Sequence, residues 1–76
     1  ESMIRAATMA QEIGAAVRSR RAALLLTQEI VAEKTGYSVD TVRRVEAGHG
    51  GVAWGAVTNM LEHLGLEVRI VETATD

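Results

Sequence analysis

Two short stretches of this chain lie back to back, and each opens on a hydroxyl residue and closes on a glycine. Thr27 precedes the apolar pair Ile30 and Val31, which Gly36 follows; Ser38 precedes Val42 and Val45, which Gly48 follows. A Thr or Ser side-chain oxygen accepts from an orphan amide of a first helical turn, and a left-handed glycine ends a helix. The pattern predicts two short helices joined by a tight turn at Gly36. Helices of this length take their stability from packing, so the rest of the chain must supply surfaces around them.

The flanking segments read accordingly. Thr8-Met9-Ala10-Gln11 fits a capping box. Beyond it Ile13, Ala16, Val17 and Leu24 recur at helical spacing, which predicts a helix from Thr8 to Leu24 with an extension back to Met3 left open. His49-Gly50-Gly51 is a loop by composition. A fourth helix should carry Trp54, Val57, Met60, Leu61 and Leu64 on one stripe and end at Gly65, with Trp54 anchoring the core rather than stacking on a base. Gly55 within it costs about 1 kcal/mol relative to Ala.

The tail changes period. Leu66, Val68 and Ile70 alternate with Glu67, Arg69 and Val71, the pattern of a strand. A strand needs a partner, and the simplest is the same strand of a second copy, an antiparallel ribbon that closes a homodimer. The alternative is a frayed tail laid on the helices. The expected divisions are residues 1–7 as a tag remnant or N-terminal extension, 8–65 as the helical domain, 66–72 as the dimerisation strand and 73–76 as a tail.

Size and charge narrow the function. With 76 residues the chain is one domain, and a domain this small buries only about 60% of the surface its unfolded chain exposes. It has no cysteine to add a disulfide or a thiolate metal site. No apolar run reaches the roughly 18 residues of a membrane span and no signal-peptide pattern is present, so the expectation is a soluble, cytoplasmic chain. The net charge of −2 is unevenly spread. Between Ile13 and Arg44 lie six basic residues against three acidic, and from Gly51 onward one Arg against four acidic. Such blocks suggest a positive face and a separate acidic end, with ordinary solvated surface as the alternative. His49 and His63 show no metal-ligand spacing, and no phosphate loop or nucleophile elbow is present. No enzyme activity, metal or cofactor is expected.

The run from Thr27 to Gly48 resembles the helix-turn-helix of the Cro/C1-type (XRE) family: Ala32 where the two helices cross, Gly36 in the turn, Ser38 as cap of the second helix, and Val31, Val42 and Val45 as contacts. Ile13-Gly14 with Val17, and Trp54, Val57, Met60 and Leu64-Gly65, fall on the family's other apolar positions. The resemblance covers about Thr8 to Val71. It implies an all-α, lambda-repressor-like bundle of four to five helices, here with a C-terminal β-strand pairing across a homodimer. The strand resembles the HipB-type antitoxin subgroup.

The resemblance also implies the binding residues. Gln28 stands at the start of the second helix, in reach of a phosphate or a base edge. Val39, Asp40, Arg43 and Arg44 project from the recognition helix. Arg44 suits guanine O6/N7, Asp40 cytosine N4 and Val39 a thymine methyl, while Ser38, Thr41 and Arg43 suit phosphates. Asp40 has another explanation, since a carboxylate in a first turn is favoured by the helix dipole. Glycines around His49-Gly50-Gly51 leave backbone amides open to phosphates. Arg21 and Glu46 match an ion pair that joins the first helix to the end of the recognition helix. Leu66, Val68 and Ile70 are the dimerisation residues.

The expected function is a transcriptional regulator, a repressor rather than an activator, on double-stranded DNA with an inverted-repeat operator. Two rivals stand beside it: an antitoxin that represses its own operon and holds a toxin protein, and a protein-interaction module that kept the fold and lost DNA binding.

Overall fold

Both short helices begin on their hydroxyl caps. A computed structural model, which describes residues 2–72 with side chains from Met9 onward, shows four helices: α1 (Ser2–Ala23), α2 (Gln28–Thr35), α3 (Val39–Glu46) and α4 (Trp54–His63). The Ile30 amide donates to Thr27 Oγ1 at 3.1 Å, and Gly36, at φ 79°, donates its amide to the Ala32 carbonyl. Ser38 Oγ accepts from the Thr41 amide at 3.1 Å. Gly48, at φ 81°, makes the turn that follows α3.

α1 takes the longer N-terminal bound left open by the sequence and ends one residue short of Leu24. It extends back to Ser2, so Thr8 and Gln11 lie inside the helix and do not cap it. Residues 3–7 contain no glycine or proline to stop it, and two of them are alanines. After Ala23 the chain turns through Leu25 at φ 59°, a left-handed position usually given to glycine, with its side chain 90% exposed. The inward stripe also shifts. Gly14 and Val17 are buried with Ile13 and Arg21 half-buried, while Ala16 and Leu24 are exposed. Positions 14, 17 and 21 repeat at helical spacing and point one way; Ala16 lies off that line and Leu24 past the last turn.

The core is small and rich in valine: Val17, Val31, Val42, Val45 and Val57 with Ala32, Met60, Leu61 and Leu64. α1 packs on α3, and α2 packs on both α3 and α4. Ala32, 6% exposed, lies in this core on α2. The buried Thr35 hydroxyl donates to the Val31 carbonyl at 2.8 Å, so it adds no unmet donor to the core. Trp54 does not anchor this core. It is the first residue of α4 and remains 57% exposed, because the buried stripe begins a turn later at Ala56 and Val57.

Residues 66–72 form no strand in the single chain, and the described residues show four helices only. A ladder requires a neighbouring strand, and the described elements that this tail meets are helical. Gly65, at φ 71°, turns the chain back, and the Leu66 amide donates to the Leu61 carbonyl at 2.8 Å. Leu66 packs against the core, while Val68 and Ile70 are 48% and 97% exposed. The expected tail at 73–76 lies outside the described residues. Among the described residues no helix is long and apolar enough to cross a membrane, and no His, Cys, Asp or Glu cluster could hold a metal.

Gly14 sets how closely α1 meets α3. A Cβ there would overlap the Val45 carbonyl oxygen and come within 2.9 Å of the Glu46 carbonyl oxygen, both backbone atoms. A Cβ at Gly55 would meet nothing within 4 Å. Gly14→Ala should therefore destabilise by about 2–3 kcal/mol, overpacking outweighing the better helix propensity of Ala. Gly55→Ala should stabilise by about 0.5 kcal/mol. Urea unfolding of both variants checks the contrast, and equal effects would refute it.

Candidate nucleic-acid interface

α3 presents a mixed outer face. Asp40, Arg43 and Arg44 are exposed; Thr41 is half-buried, and Val39 is half-buried against the core with only an edge outward. Ser38 is exposed, but its hydroxyl lies 2.9 Å from that of Thr41 as well as capping the helix. Arg43 Nη1 stands 3.6 Å from Asp40 Oδ1, with both side chains more than half exposed. A pair this long and this wet contributes little, so both groups remain available to an outside partner. Arg44 turns toward the loop before α4, its Nη2 4.0 Å from where a Gly51 Cβ would stand. The two arginines therefore flank α3 on different sides, Arg43 toward α2 and Arg44 toward the loop.

What holds α3 in place is a hub at its last residue. Arg21 donates from Nε to Glu46 Oε2 at 2.6 Å and from Nη2 to Glu46 Oε1 at 3.1 Å. Its Nη1 donates to the Leu26 carbonyl at 2.9 Å, and Gln28 Nε2 donates to Glu46 Oε1 at 3.0 Å. The Glu46 side chain is 5% exposed and that of Arg21 16%. The hydrogen bonds that Arg21 donates to Glu46 hold the guanidinium pKa above its ordinary value, with burial opposing. One carboxylate thus ties α1 and the first residue of α2 to the end of α3, and Arg21 adds the turn at Leu26. Gln28 is part of this hub: one of its amide hydrogens is spent on Glu46, leaving the other and its carbonyl oxygen free to turn outward.

The neighbouring groups divide in the same way between scaffold and free surface. The His49 amide donates to the Arg44 carbonyl at 3.1 Å and is not open to a phosphate, whereas Gly50 has nothing within 4 Å of a Cβ position. Arg20 donates from Nε to the Leu64 carbonyl at 2.9 Å, capping the end of α4 from α1. Sequence reasoning missed that contact, because nothing local marks which of three neighbouring arginines reaches a helix end 44 residues away. Val68 and Ile70 belong to neither group. They border an apolar groove of about 570 Å³ with Met9, Ile13, Trp54 and Val57.

Removing Glu46 leaves a guanidinium and an amide without their acceptor inside the protein. Glu46→Ala should cost on the order of 3–5 kcal/mol, and replacing both charges together, Arg21→Met with Glu46→Leu, should cost much less. Urea denaturation of the two variants measures the difference. A loss below about 1 kcal/mol for Glu46→Ala, smaller than a net charged hydrogen bond, would show that the hub does not hold the fold.

The sequence matches a family model described as a helix-turn-helix domain over residues 12–73, from α1 through all the later helices into the tail. No curated protein matches it. A match of that extent, on a chain whose α2 and α3 meet through a left-handed glycine, is decisive: the chain belongs to the helix-turn-helix domain family.

Proposed function

We propose that this domain is a sequence-specific transcriptional regulator, a repressor that binds a palindromic operator as a homodimer. The observation that carries the reading is the outer face of α3, where Asp40, Arg43 and Arg44 are exposed on a capped helix braced by the Arg21–Glu46–Gln28 hub. An α-helix fits the major groove of B-DNA, and its N-terminal residues meet the base edges. On this reading Arg44 reads guanine O6/N7, Asp40 accepts from cytosine N4 and the edge of Val39 meets a thymine methyl. Ser38, Thr41, Arg43 and the free side of Gln28 hold phosphates and set the register. Occupying an operator excludes polymerase, which is repression.

A domain of net charge −2 gains little from non-specific attraction to DNA. Two recognition helices about 34–36 Å apart remove that weakness by doubling the contacts on one duplex. The tail supports the pairing: Ile70 and Val71 are 97% and 75% exposed, and apolar side chains on an extended segment are what a partner strand would cover. Val68 and Ile70 would then face their counterparts in a two-fold antiparallel ribbon, with Leu66, expected there too, rooting the strand on its own core. The same ribbon would suit a HipB-like antitoxin that autoregulates its operon and holds a toxin. The domain would act as a protein-interaction module alone if duplex DNA were not its ligand.

Selection from a random duplex library at two salt concentrations tests the reading. It should enrich a palindrome, with affinity falling steeply as salt rises. No enrichment, together with a co-purifying protein, would favour the interaction module. Arg44→Ala should lose about 1–3 kcal/mol on the enriched site and relax the preference at one base pair of each half-site. A chain ending at Gly65 should be monomeric by light scattering where the full chain is dimeric; a dimer without the tail would end the ribbon model.

A further inference from the structure

We infer that Arg18 anchors the DNA backbone, as one wall of a phosphate-binding cleft between α1, the start of α2 and the end of α3. The inference rests on the DNA-binding reading above and adds a residue to it. The cleft has a volume of about 570 Å³, and its polar lining includes Arg18, Arg21, Gln28, Arg43 and Glu46. Three arginines and one glutamate thus border one hollow. The carboxylate is already occupied, since Glu46 is 5% exposed and accepts from both Arg21 and Gln28. Its charge is balanced by Arg21 and is not presented to an incoming anion.

Arg18 and Arg43 are what remains. Arg18 is exposed and has no ion-pair partner among the described residues, and Arg43 has only the 3.6 Å, solvent-exposed contact with Asp40. Two guanidiniums without strong partners, rooted on different helices and bordering one open hollow, make a site for an anion with several acceptor oxygens. The start of α2, whose Thr27 and Gln28 line the cleft, adds donors. The Thr27 carbonyl takes the Val31 amide and its hydroxyl the Ile30 amide, which leaves the amides of Gln28 and Glu29 as first-turn donors without helical acceptors. Arg43 belongs both to the cleft and to the outer face of α3. A duplex seated on that face brings its backbone to the cleft mouth, so the anion is a phosphodiester of the bound DNA. Arg18 is then a positioning residue that fixes register and reads no base.

The test compares the full chain with Arg18→Ala and Arg18→Lys by fluorescence anisotropy, on a selected duplex and a random-sequence duplex, across a salt series. Arg18→Ala should lower affinity about tenfold per half-site on both duplexes and reduce the slope of log K against log salt by about 0.9 per half-site. Arg18→Lys should recover most of the slope, and neither variant should move the urea midpoint. Wild-type affinity and slope in Arg18→Ala would overturn the inference and leave the DNA-binding reading intact. A loss confined to one sequence would make Arg18 a base reader, and a lowered urea midpoint would make it structural; either overturns the assignment. If the wild-type chain binds inorganic phosphate but neither duplex, the DNA-binding reading fails and the inference falls with it.

Discussion

The Glu46 carboxylate is the point on which the arrangement of helices depends. At 5% exposure it is removed from water, a state that a carboxylate reaches only when its oxygens are satisfied. Arg21 and Gln28 supply three N–H donors between them, from two different helices. Buried pairs of this kind add little net stability compared with apolar substitutes, because desolvation consumes most of the attraction. Their geometry is nonetheless demanding, since a guanidinium fork accepts one orientation of its partner. The pair therefore sets where α3 ends relative to α1. Gly14, two turns before Arg21 on the same stripe, allows the approach that brings the two groups together.

The small core explains why such a device is needed. Five of the nine clustered core residues are valines, whose χ1 is stiff, so little rotamer entropy is lost on burial. Each valine also fills little volume, and α2 and α3 are only eight residues long. Apolar contact of this kind is non-directional and would tolerate some rolling of α3 about its axis. Rolling by one residue, about 100°, would carry Arg43 and Arg44 off the outer face. The hub at one end of α3 and the Ser38–Thr41 cap at the other oppose that motion. The orientation of the candidate interface is thus set by polar contacts, and its cohesion by apolar ones.

This division also decides what was legible in the sequence. Thr27, Gly36, Ser38 and Gly48 act on amides and carbonyls a few residues away, so their roles can be read from local chemistry, and all four mark helix ends. Periodicity found the buried face of α4: Val57, Met60 and Leu61 within the helix and Leu64 as its C-cap. It failed elsewhere: Trp54 opens α4 and Leu24 follows α1, and both are exposed although they satisfy the period. The capping box at Thr8 failed for the opposite reason, since helix-forming residues continue through it. The Gln28–Glu46 and Arg20–Leu64 contacts have no local signature at all, because each joins distant segments through long side chains. The alternating tail shows the limit of period two, which describes a strand but not the neighbour that strand requires.

The charge pattern makes sense once scaffold cations are separated from free ones. Arg20 and Arg21 are spent on Leu64 and Glu46, so α1 offers fewer available charges than its sequence suggests. For a domain proposed to bind a polyanion this looks like a weakness. Non-specific affinity scales with the number of phosphates neutralised, and a genome presents such sites in vast excess. On the proposed reading, a protein with few free cations and Asp40 at the start of its groove-facing helix would be repelled wherever that carboxylate met backbone oxygens or a base edge without a donor. At a cytosine the same group would find a hydrogen bond. Asp40 would therefore penalise wrong sites more than it rewarded the right one. Low charge would then cost affinity everywhere but least at the proposed operator, and the ratio of specific to non-specific binding would rise as the total fell.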